Sequence, residues 1–151
     1  MKQIFTTFIF LIFANIICSQ NLNLKLLDQL TKVPFADIDD VMINGYGFET
    51  METKKNRRKE YIKFYPDATD KSIFIAVLDM DDYPRNALEI TIAKGYSLRK
   101  IKDDLVEDGY LYKGSNDIDL SVYQKNEVHY LIANEPNDIG ATQILVLFEK
   151  N

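Results

Sequence analysis

The sequence predicts an α+β protein: an antiparallel sheet built from two tandem helix-plus-four-strand units, with helices packed on one face and an extra helix at the N-terminus. Three observations predict it. Apolar residues recur at helical spacing in two separate segments, Phe35, Ile38, Met42 and Ile43, then Leu98, Ile101, Leu105 and Val106. Each segment runs into a glycine and an aromatic pair, Gly45-Tyr46-Gly47-Phe48 and Gly109-Tyr110-Leu111-Tyr112. Each is then followed by short stretches that alternate or stay apolar, the marks of strands.

Residues 1–19 read as a secretory signal peptide: Lys2 supplies the basic start, Ile4 to Ile17 the apolar run, and Ser19 a small residue at the cleavage position. The run is too short for an ordinary membrane span, so no span is expected after cleavage. Cys18 is the only cysteine; Ile17 before it does not suit a lipidation site, and cleavage after Ser19 leaves no cysteine at all. The expected location is the periplasm or the exterior. There the chain must hold together by its core alone, which 132 residues can do. The formal charge of −5 becomes −6 once Lys2 leaves, and an acidic balance argues against nucleic acid or an anionic membrane as partner.

From residue 20 onward one domain is expected, with pseudo-repeats at about 35–95 and 96–151. Leu24, Leu27, Leu30 and Val33 define a first amphipathic helix that Pro34 ends. A second helix follows over 35–44, with Asp37, Asp39 and Asp40 near its positive end and Gly45 as its stop. Residues 46–53 read as an edge strand and Lys54 to Lys59 as a basic hairpin tip. Strands are then expected at 60–65, 72–80 and 87–93, the middle one apolar on both faces and therefore central. Ser97 is the candidate N-cap and Gly109 the stop of a helix over 97–108. Strands at 110–113, 118–124, 128–134 and 141–148 complete the chain. Phe35, Ile38 and Met42 match Leu98, Ile101 and Leu105 at an offset of 63, and Gly45-Tyr46 matches Gly109-Tyr110 at 64.

This order resembles the tandem helix-plus-four-strand layout of the beta-lactamase inhibitor proteins, the BLIP-like fold, and less closely the PepSY-like secreted domains. The resemblance rests on element order and the paired segments Gly45 to Phe48 and Gly109 to Tyr112. It implies a secreted binding protein. The disulfides typical of the inhibitors are absent, so neither target nor binding residues carry over.

Catalytic and metal chemistry find little footing. One histidine, His129, and no mature cysteine cannot build a zinc cluster, and no cofactor motif is present. Asp79, Asp81 and Asp82, like Asn116, Asp117 and Asp119, lack the ligand spacing of a calcium loop. The serines at 72, 97, 115 and 121 stand in no nucleophile context. The expected function is therefore a non-enzymatic one: holding another protein on an uncovered sheet face. Tyr61, Lys63 and Tyr65 share one side of their strand and, with Arg57 and Arg58 at the basic tip, are the candidate binding residues; Ile62 and Phe64 are the expected core residues. The alternative is a small-ligand or lipid carrier with an apolar pocket between helices and sheet.

Overall fold

The structure, a computed structural model, describes residues 22–52, 56–65, 68–80, 83–93 and 98–149, without the side chains of 65 and 68–71. The signal peptide with Cys18, the residues Lys54, Lys55, Asp81 and Asp82, the Ser97 cap and the Tyr65 side chain lie outside them. Eight strands form one antiparallel sheet: β1 (Glu49–Met51), β2 (Arg58–Tyr65), β3 (Ala68–Asp79), β4 (Asn86–Ile92), β5 (Leu111–Ser115), β6 (Leu120–Lys125), β7 (Val128–Ala133) and β8 (Thr142–Phe148). Their order is β1-β2-β3-β4-β8-β7-β6-β5. Six ladders join strands adjacent in sequence; the seventh, β4 with β8, brings Ile90 opposite Ile144 and seams the two halves.

Helix α1 (Leu24–Lys32) starts at Asn23, whose side chain accepts a hydrogen bond from the Leu26 amide at 2.9 Å, and buries Leu26, Leu27 and Leu30. Asn86, buried at the start of β4, donates to the carbonyls of Leu30 and Val33 at 2.8 and 2.7 Å. One strand residue thus satisfies two acceptors that the helix end leaves without intrahelical partners. Helix α2 (Arg99–Glu107) buries Ile101 and Leu105.

The segment expected as a second regular helix is not one. Phe35–Asp37 is a 3-10 turn and Asp40–Gly45 a π-helix. The exits of the two segments explain why. After α2, Gly109 takes φ +87, its amide bonds to the Val106 carbonyl and the Tyr110 amide to the Leu105 carbonyl, which is a Schellman stop. After the π-helix, Gly47 (φ +67), not Gly45, holds the left-handed position, and the Phe48 amide reaches the Met42 carbonyl. Met42 and Leu105 are both fully buried, as Phe48 and Tyr110 nearly are. Between these fixed points the first segment has one residue more, and a π-turn is the way a helix absorbs one extra residue. In geometry it is Gly47-Phe48, and not the expected Gly45-Tyr46, that stands after its helical segment as Gly109-Tyr110 stands after α2.

Register decides the faces. Tyr61, Ile75, Ile90, Ile144 and Ile132 stand in one row across β2, β3, β4, β8 and β7. All five join a single buried cluster with Leu26, Leu30, Ile38, Met42, Ile101 and Leu105, so the helices and the π-segment pack on that one face. Each buried aliphatic side chain contributes about 1.5–3 kcal/mol. Tyr110 and Tyr130 meet edge to face in the same layer, ring centroids 5.2 Å apart.

Candidate functional site

The face assignment of β2 is the reverse of the expected one. Tyr61 is fully buried under the helical layer. Its hydroxyl donates to Asp39 Oδ1 at 2.6 Å, and Lys59 Nζ donates to Asp39 Oδ2 at 2.7 Å. Burial drives the Tyr61 hydroxyl pKa far up, and the hydrogen bond to Asp39 pushes the same way. For Asp39 burial pulls upward, yet the bonds from Lys59 and Tyr61 outweigh it and hold the carboxyl below its ordinary value. Lys63, on the same side, donates to the Tyr46 carbonyl at 2.6 Å and lies over the Phe48 ring at 5.6 Å. Tyr61, Lys59 and Lys63 therefore tie the irregular segment 35–48 to the sheet. A tyrosine whose hydroxyl has a carboxylate above it goes inward more readily than alternation alone reveals.

Ile62 and Phe64, expected in the core, point the other way. Phe64 is 51% exposed, and on the same outer face Met51 is 41%, Leu147 40% and Leu111 62% exposed. By register this face also carries Phe74, Leu78, Leu131, Leu145 and Val122, all partly exposed. Among the described residues no helix packs on it. Among the described residues the face is thus uncovered, but it mixes apolar side chains with Arg58, Glu60, Glu89, Gln143 and His129 and is not the Tyr- and Lys-bearing surface expected. Its signal lay in β3 and β8, apolar on both sides, which places apolar residues outward as well as inward.

Near the centre of this face stands a charged bridge. Glu60, Ala76 and Glu89 are one row across β2, β3 and β4. Arg58, two residues before Glu60, donates from Nε to Glu60 Oε1 at 2.5 Å and from Nη1 to Glu89 Oε2 at 2.8 Å. The fully buried Ala76 lies between the two carboxylates, small enough to let the guanidinium span the strand. Burial lowers the Arg58 pKa, but the bonds to Glu60 and Glu89 outweigh it and leave the guanidinium more firmly charged than usual. So Arg58 and Lys59 belong to the strand and not to a solvated tip. The turn is at Asn56 and Arg57, with Arg57 at φ +64 and its side chain on Asp79 Oδ2 at 3.0 Å. Of the four candidate binding residues whose side chains are described, Arg58 alone is brought to the uncovered face.

Other candidates resolve into structure. Asn116 Oδ1 accepts from the amides of Ile118 and Leu120, closing a turn, and Asp119 Oδ1 accepts from Asn134. His129 lies on the outer face with Nε2 at 3.2 Å from Glu149 Oε2. Among the described residues no group of three or more His, Cys, Asp or Glu could hold a metal ion, and no helix is long and apolar enough to cross a membrane. Two clefts open beside α2. One, about 530 Å³, lies against α1 with Asp28, Asp104, Glu107 and Asp108 on its walls; the other, about 470 Å³, holds Arg99, Lys102, Asp103 and Asn134. The first is walled mostly by polar and charged side chains, while the second adds Leu98, Tyr123, Ala133 and Pro136 to its charged rim. Set against known proteins, the chain matches no family model, no curated protein and no solved structure.

Proposed function

We propose that this is an exported, non-enzymatic protein-binding module, and that the open sheet face is where it holds its partner. The observation that carries the reading is the run of exposed and half-exposed apolar side chains across the strands opposite the helices, Met51 and Phe64 in the first half and Leu147 and Leu111 in the second. A chain that keeps this many apolar side chains on an open face, even with Glu60, His129 and Gln124 set among them, gains by covering that face with another surface. The export half of the reading rests on the leader-like residues 1–19.

The same proposal takes the chain as two fused copies of one module. Its support is the mirror order of the strands about the β4–β8 seam and the paired glycine-aromatic exits at 47–48 and 109–110. Fusion doubles the width of the open face.

The test is capture. Mature protein used as bait in an extract of the native envelope should retain a defined protein, and the double substitution Phe64→Ser, Leu147→Ser should release it while the circular dichroism spectrum stays unchanged. Equal retention by both baits would overturn the role of this face.

A further inference from the structure

Among the described residues the bridge near the centre of the open face is not balanced. Two carboxylates, Glu60 and Glu89, share one guanidinium, and each gives Arg58 a single oxygen, Oε1 and Oε2 respectively. Arg58 is the most enclosed of the three, with 14% of its side chain exposed against 20% for Glu60 and 39% for Glu89. In register Glu89 stands directly beside Leu145 of β8 on one side and Ala76 of β3 on the other. A carboxylate with acceptor capacity to spare is therefore set between two apolar side chains of its row, with Thr91 the next outward residue on its own strand, facing out.

Covering this spot with a wholly apolar surface would strip water from a carboxylate that Arg58 only half neutralises, at a cost of several kcal/mol. A second copy of the chain would bring the same two-to-one excess and add like-charge repulsion. Both occupants are disfavoured by the same imbalance. Resting on the docking role of this face, we propose that its partner is a different protein presenting an apolar surface with one lysine or arginine at its centre, the cation meeting Glu89 and completing a two-plus-two charge cluster. Leu145 and its neighbours then exclude water around the new ion pair, which is the setting in which such a pair adds most to specificity.

Selection from a displayed library of random short peptides against the immobilised mature protein tests this. The enriched peptides should carry a Lys or Arg flanked by apolar residues. Their affinity should fall at least about tenfold for Glu89→Gln, a variant that leaves Arg58 paired with Glu60. Replacing the peptide's cation by Met should weaken binding to the parent protein and restore it to Glu89→Gln. Peptides that lose affinity on Leu145→Ser but bind Glu89→Gln unchanged overturn the cation and leave the face as the docking surface. Peptides indifferent to Leu145→Ser, or no enrichment at all, overturn both. Circular dichroism of each variant separates a lost contact from a lost fold.

Discussion

On the covered face, the polar atoms of β2 point at the helical layer and are answered there: Tyr61 and Lys59 by Asp39, Lys63 by the Tyr46 carbonyl. On the open face the polar atoms of the same strand find partners only in the sheet, Arg58 turning sideways to Glu60 and across β3 to Glu89. Both faces are apolar around these groups. What separates them is that one set of charges fastens a second layer while the other is satisfied within the sheet, with no described element above it. Apolar character alone does not tell the covered face from the open one; the direction in which the neighbouring charges are satisfied does.

Substitutions that treat the two faces alike should have unlike results. The largest effect belongs to Ile90→Ala, fully buried in the central row, which should lose about 2–5 kcal/mol in urea unfolding. Tyr61→Phe keeps the ring but leaves Asp39 to Lys59, and should cost about 1 kcal/mol at neutral pH. Its pH dependence has a definite sign. Asp39 has a folded pKa below the ordinary 3.8, so its contribution is complete above 3.8 and is lost as pH falls through the lower folded value. With one of its two donors gone that value moves back toward 3.8, and thermal unfolding between neutral and acid pH should show a shallower loss in the variant. The smallest effect is on the other side: Phe64→Ser should change stability by no more than about 0.5 kcal/mol, because the ring already stands half in water. A large loss there would mean that the face is covered within the chain.

Much of the fold was legible from pattern. The eight strands lie close to their expected places, and Leu27, Leu30, Ile101 and Leu105 face inward as the helical spacing requires, while Leu24 and Val33 of the first stripe are only partly buried. Strand ends shifted where charge intervened: Arg58 and Lys59 read as a turn because lysine and arginine are rare in sheet centres, yet each has a carboxylate waiting, one across the sheet and one above it. The site was half legible. That a face would be bare follows from counting helices against strands, but which residues line it depends on Tyr61 pairing with an aspartate 22 positions earlier, and a contact between distant segments leaves no mark in local alternation. The π-helix was hidden for a similar reason. One extra residue between Met42 and Gly47 is invisible until the second exit gives the spacing to compare it with.

The strand order has a kinetic corollary. Each half can zip its own hairpins from neighbours in the chain, so the entropy of closing a long loop falls on one event, the meeting of residues 88–92 with 142–146. Until that seam shuts, β4 and β8 are both raw edges lined by aliphatic side chains, and the interval in which they wait for each other is when the newly made chain is most exposed to aggregation.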